Sequence, residues 1–113
     1  MSTVVLEVAD RASVTRRAIG ALAGKKQGNR IAFASPELLW RVLNAKRWEI
    51  IRAMAGSGAL SIRDVARRVG RDVKAVHGDV HALLDAGIVD RTASGKVEFP
   101  YDAVRVDFTL NAA

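Results

Sequence analysis

His77, His81 and Asp85 fall at i, i+4 and i+8, which lays two imidazoles and a carboxylate along one face of a helix. These are zinc-ligand types. A metalloprotease helix, however, needs a glutamate directly after its first histidine, and Gly78 stands there. No second ligand set occurs elsewhere in the sequence. A hydrolase needs a nucleophile, a base and oxyanion donors together, and the chain's two histidines both lie on this one stripe. Gly20, Gly24 and Gly28 are not followed by the Gly-Lys-Ser/Thr ending of a phosphate loop. Neither catalysis nor a metal or cofactor is expected.

Cations offer a different chemistry. Arg67, Arg68, Arg71 and Lys74 lie within eight consecutive residues, suited to backbone phosphates of a nucleic acid or equally to a solvated helix face. The elements around them favour the first alternative. Ser61 caps a helix over residues 62–69 with Ile62, Val65, Ala66 and Val69 inward, and Gly70-Arg71 makes a tight turn. Asp72 then caps a helix over residues 73–86, ended by Gly87. Two capped helices joined by so short a turn must cross steeply, and Ala66 is small where the backbones approach. Val76 and Val80 reach back onto Val65 and Val69, while Val73, Leu83, Leu84 and Ile88 extend the stripe. This is the pattern of a DNA-binding helix-turn-helix, and the hairpin that follows makes a wing. Lys74, Ala75, Gly78, His81 and Ala82 point outward, with His77 on the flank. Lys74 suits guanine edges or phosphate, the histidines suit either, and Gly78 permits close approach. Arg91 and Lys96 on the hairpin complete the candidate DNA-binding set. Asp72, Asp79 and Asp85 make the second helix itself negative when both histidines are neutral.

Upstream, Ser35-Pro36-Glu37 is a strong helix start, followed by Leu38, Leu39, Val42 and Leu43 on an apolar face. Asn44 caps the next helix, from Ala45 to about Ala55, with Trp48, Ile51, Met54 and Ala55 inward; Trp40 lies at the edge of its own apolar face, placed to anchor a partner. Gly56-Ser57-Gly58 stops the helix. Thr3–Val8 alternates as a short strand, Asp10 or Ser13 caps a helix to about Ala23 striped by Val14, Ala18 and Leu22, and residues 30–34 form a second strand. A strand-helix-strand element of 34 residues is too small to stand alone. Its free strand edge is expected to pair with another chain and form a homodimer, with Arg16, Arg17, Lys25 and Lys26 in solvent or near DNA. Near the C-terminus, Pro100 breaks a strand over residues 96–99, and Val104, Val106, Phe108 and Leu110 alternate on one side.

The run Ala34 to Trp48, the helix-turn-helix, and Asp85-Ala86-Gly87-Ile88-Val89-Asp90 resemble MarR-like winged-helix predicted transcriptional regulators of bacteria and archaea. The likeness covers residues 30–108. It implies a second helix that reads the major groove, a hairpin on the flanking backbone, and a dimer. Some members are thought to be antitoxins encoded beside a toxin. Asp79 stands where older helix-turn-helix patterns place an aliphatic, so classical repressors match less well than winged helices do.

Composition agrees with a basic regulator. The chain has 113 residues, half of them hydrophobic, and a formal charge of +6 with a pI near 10.5. Such a domain attracts polyanions. The excess is uneven: residues 1–34 carry six basic and two acidic groups, residues 35–113 twelve and ten. Cysteine is absent, which excludes disulfides and thiolate metal sites. Glu7 and Asp10 interrupt the apolar start, so no signal peptide is expected, and no apolar run approaches the roughly 18 residues of a membrane span. The expectation is a cytoplasmic α+β protein: residues 1–34 a strand-helix-strand element for dimer or partner contact, residues 35–113 a winged helix-turn-helix. It would bind specific duplex DNA as a homodimeric transcriptional repressor. The alternatives are an antitoxin that clamps a toxin and represses their shared promoter, and a winged helix used only for protein contacts.

Overall fold

The computed structural model of the chain describes residues 2–8 and 29–109, arranged as an α+β fold. Strands β1 (Thr3–Val8) and β2 (Arg30–Phe33) precede four described helices: α1 (Pro36–Val42), α2 (Ala45–Met54), α3 (Ile62–Val69) and α4 (Val73–Asp85). A short antiparallel hairpin, β3 (Asp90–Arg91) and β4 (Val97–Glu98), follows, and β5 (Ala103–Asp107) is last. The helix expected between about Asp10 and Ala23 lies outside the described residues, as does Leu110.

The helix starts form as the side chains dictate. Ser35, Asn44, Ser61 and Asp72 each accept from backbone N–H groups of the first turn they precede. Pro36 occupies the start of α1, where its missing N–H has no intrahelical partner to lose. At the end of α3, Gly70 adopts φ 67°, and the N–H of Arg71 returns to Ala66 O at 3.1 Å. This left-handed residue reverses the chain within one turn, so only three residues separate α3 from α4.

The sheet refines the expectation for residues 1–34: among the described residues their free edge is the outer edge of β2, not β1. Its order is β2-β1-β5, with both pairings parallel. Thus β1 is the central strand and has no free edge. The last strand of the expected winged-helix segment completes the sheet of the first 34 residues instead. Val4 and Leu6 on β1 are fully buried and belong to one core with Leu39, Ile50, Met54, Val65, Val76, Val80, Leu83 and Ile88. Deep burial of alternate residues explains the period of two in β1. Arg30 Nη1 on β2 donates to Glu7 Oε2 on β1 at 3.0 Å.

Four apolar side chains differ from their expected places. Leu38 is 40% exposed, Trp48 is 36% exposed, Ala55 is exposed, and Val73 is 42% exposed. In α2 the buried stripe is Ile50, Ile51 and Met54, because Arg47 turns towards α4 and rotates Trp48 towards Trp40 and out of the core. Val73 is the first residue of α4, and helical side chains lean towards the N-terminus. Its side chain therefore leans back towards the turn, and the buried stripe begins at Val76.

Candidate nucleic-acid interface

The Gly70–Asp72 turn and the two helices it joins position most of the candidate residues. On α4, Lys74, Ala75, His77 and Gly78 are exposed, and His81 and Ala82 are half-buried. Nothing described lies within 4 Å of a Cβ placed on Gly78, so this stretch of helix is open to a bulky ligand. The His77 and His81 rings lie 4.2 Å apart at 36°, one helical turn from each other. Among the described residues no three His, Cys, Asp or Glu side chains are grouped closely enough to hold a metal ion.

The arginines divide into two kinds. The Arg67 side chain is 79% exposed, and its Nη1 lies 3.4 Å from Asp64 Oδ1. Asp64 is held below its ordinary pKa chiefly by the Ser61 hydroxyl, helped by Arg67, so it stays charged at the start of α3. Arg68, by contrast, donates to Ala53 O at 3.1 Å and Ser57 Oγ at 2.6 Å, tying α3 to the end of α2. Arg71 donates from Nη2 to Asp79 Oδ2 at 2.8 Å, while Arg47 donates from Nε to Asp79 Oδ1 at 3.1 Å. Arg71, expected to suit a backbone phosphate, is thus a half-buried strut against Asp79, and its buried Nη1 has no acceptor among the described residues.

The Asp79 cluster also explains an apparent misfit in the sequence. An acid sits where an aliphatic was expected because it bridges two guanidiniums at the α2–α4 contact. Arg47 further donates to Arg41 O and Val42 O, capping the end of α1. Burial pushes the Asp79 carboxyl up, but the hydrogen bonds from Arg71 and Arg47 outweigh it and leave the pKa below 3.8. With Asp79 neutralised and turned inward, the exposed face of α4 is less negative than its composition suggests. Arg47 was missed from sequence, since its partner lies 32 residues away; the one signal was the acid itself inside an apolar stripe.

The hairpin brings two more cations to the surface. Arg91 and Lys96 are both exposed, on either side of a turn closed by Thr92 N–H to Lys96 O at 2.8 Å. Arg91 Nη1 donates to Gly95 O at 3.3 Å, which orients it along the turn. Val97 of β4 exchanges both backbone hydrogen bonds with Leu60, each 2.8 Å, and so fastens the hairpin beside the start of α3.

A family model matches residues 42–106, more than half of the chain. The chain belongs to the HVO_A0114 family. The matched stretch runs from the end of α1 into β5 and contains α2, α3, α4, the hairpin and every candidate residue above. It leaves out β1 and β2, whose burial nonetheless ties them to the family segment. No curated protein matches the chain.

Proposed function

We propose that the protein binds specific sites in duplex DNA as a winged helix-turn-helix transcriptional repressor, acting in the cytoplasm as a homodimer. The observation that carries this reading is the juxtaposition of three features. An exposed α4 surface bears Lys74, Ala75, His77 and Gly78; the largely exposed side chain of Arg67 stands on the preceding helix; and a hairpin carrying Arg91 and Lys96 is strapped beside that helix through Leu60 and Val97. The resemblance to MarR-like regulators supports it, because α4 then corresponds to the groove-reading helix and β3–β4 to the wing. No described helix is long and apolar enough to cross a membrane, in keeping with a soluble regulator.

In this reading α4 lies along the major groove, Lys74 bonds a base edge, and Arg67, Arg91 and Lys96 contact phosphates. Arg68 acts indirectly by holding α3 to the end of α2, and Arg71 by bracing the turn against α4. The test begins with selection of bound fragments from random or genomic duplexes, followed by titration across a salt series. Lys74→Ala is expected to cost about 1–3 kcal/mol on the selected site and less on random DNA. Arg67→Ala should weaken binding to all sequences alike and reduce the salt slope by about one unit. Arg71→Ala should lower thermal stability instead and leave the salt slope of the folded fraction unchanged. Absence of duplex binding at low salt would sink the proposal and leave a protein-contact role.

A further inference from the structure

The outer edge of β5 has no strand paired with it among the described residues, and its sequence is complementary to itself. Ala103 donates its N–H to Ser2 O on the β1 side at 3.2 Å. Backbone direction alternates along a strand, so residues 103, 105 and 107 bond inward to β1. Val104, Val106 and, just past the strand, Phe108 turn their N–H and C=O groups outward. Their side chains are half-buried on the helix side, whereas Arg105 and Asp107 on the other face are exposed and lie 3.6 Å apart as a solvent-facing ion pair that can exchange for a cross-strand one.

We propose that two copies of this chain associate through β5, antiparallel about a two-fold axis at Val106. The outward backbone groups then face one another in register: Val106 opposite the partner's Val106, and Val104 opposite the partner's Phe108. In the same register Arg105 lies opposite the partner's Asp107, twice over by symmetry. An axis at Arg105 or at Asp107 would instead set like charges face to face, which is destabilising. An axis between residues would set outward groups of one copy against inward groups of the other. Of these registers, the Val106 axis joins outward backbone groups and also sets opposite charges face to face. The result is a continuous sheet with no exposed edge at its centre.

The neighbouring surface fits this occupant. A groove of about 610 Å³ opens beside β5, lined by Trp40, Leu43, Trp48 and Val106 among others. Trp40, half exposed, stands edge-on to Phe108 with ring centroids 5.8 Å apart. Pairing would bring the partner's Val104 and Phe108 next to these rings. The inference rests on the proposed function and deepens it by placing the surface of its homodimer on β5.

Sedimentation of the full chain without DNA tests it separately from DNA binding. A dimer is expected. Arg105→Asp and Asp107→Arg should each raise the dimer dissociation constant about tenfold or more, since two attractive cross-strand pairs become repulsive. Both side chains are largely exposed, at 69% and 51%, so the fold should survive either change. Mixing the two variants should restore association, because each then presents the charges the other lacks; the double variant should also dimerise. A full chain that stays monomeric, a dimer indifferent to both changes, or variants that fail to pair when mixed would each overturn the proposal. Intact dimerisation without DNA binding would instead overturn only the functional reading.

Discussion

Removing residues 1–28 is expected to abolish the cooperative thermal unfolding transition of the chain. The truncated chain should not persist as a smaller folded DNA-binding unit. The reason is β1. It lies between β2 and β5, and its Val4 and Leu6 side chains are completely buried in the core shared with α1, α2 and α4. Full burial of two such side chains contributes about 3–6 kcal/mol, against a typical total stability of about 5–15 kcal/mol. Deletion also strips β2 and β5 of their only described strand partner and opens the inner face of Leu39. A milder version separates packing from connectivity: Leu6→Ala should cost about 2–5 kcal/mol in chemical denaturation. A truncated chain that retained a sharp transition near the full-length midpoint would show that β1 is dispensable.

Asp79→Ala carries the second large effect. The carboxylate joins Arg47 and Arg71, whose side chains are each only 20% exposed, and its own is 15% exposed. Removing it leaves two guanidiniums facing one another across the α2–α4 contact without their counter-charge. Loss of one partner from a buried ion pair costs about 3–5 kcal/mol, and the residual solvent contact here puts the expectation near 3 kcal/mol. Arg71→Ala should cost less, because Asp79 keeps Arg47. The pH dependence follows from the depressed pKa of Asp79. A carboxyl whose folded pKa is lowered stabilises the protein fully above the unfolded value near 3.8 and loses that contribution as pH falls through the folded value. The stability gap between wild type and Asp79→Asn should therefore be widest near neutral pH and close in acid below about pH 4. A gap that stays constant from pH 7 to pH 3 would mean that Asp79 does not act as a charge.

DNA affinity should follow this cluster indirectly. Arg71 and Asp79 set the crossing of α3 and α4, so weakening them should blur the placement of Lys74 and Arg67 together. Arg67→Ala removes one contact and spares that geometry. Comparing the two at matched folded fraction distinguishes positioning from contact.

Local chemistry made much of the molecule legible. Four N-caps, Pro36, and the glycines at 70 and 87 act over three or four residues, so Ser35, Asn44, Ser61 and Asp72 mark helix starts without reference to anything distant. The stripe Val65, Ala66, Val76, Val80 and Leu83 was equally readable, since periodicity reports which side of a helix is apolar. The exposed positions Lys74, Ala75 and Gly78 followed from that stripe by subtraction.

What the sequence by itself determined is thus the four described helices, their starts, and the buried stripes of α3 and α4 from Val65 to Leu83. Tertiary structure decided the rest, because it depends on pairs far apart in the chain. Strand order is one case: an alternating strand reads alike at a sheet's edge or centre, and only its meeting with Ala103–Asp107 makes β1 central. The arginines are another. Arg67 and Arg71 are the same residue type on either side of one turn, yet Asp79 and Arg47 draw Arg71 inward while Arg67 stays in solvent. Trp48 is exposed for a related reason, since periodicity allows α2 to rotate by one position and the reach of Arg47 to Asp79 selects the rotation. A residue's period is local, but its partner is not.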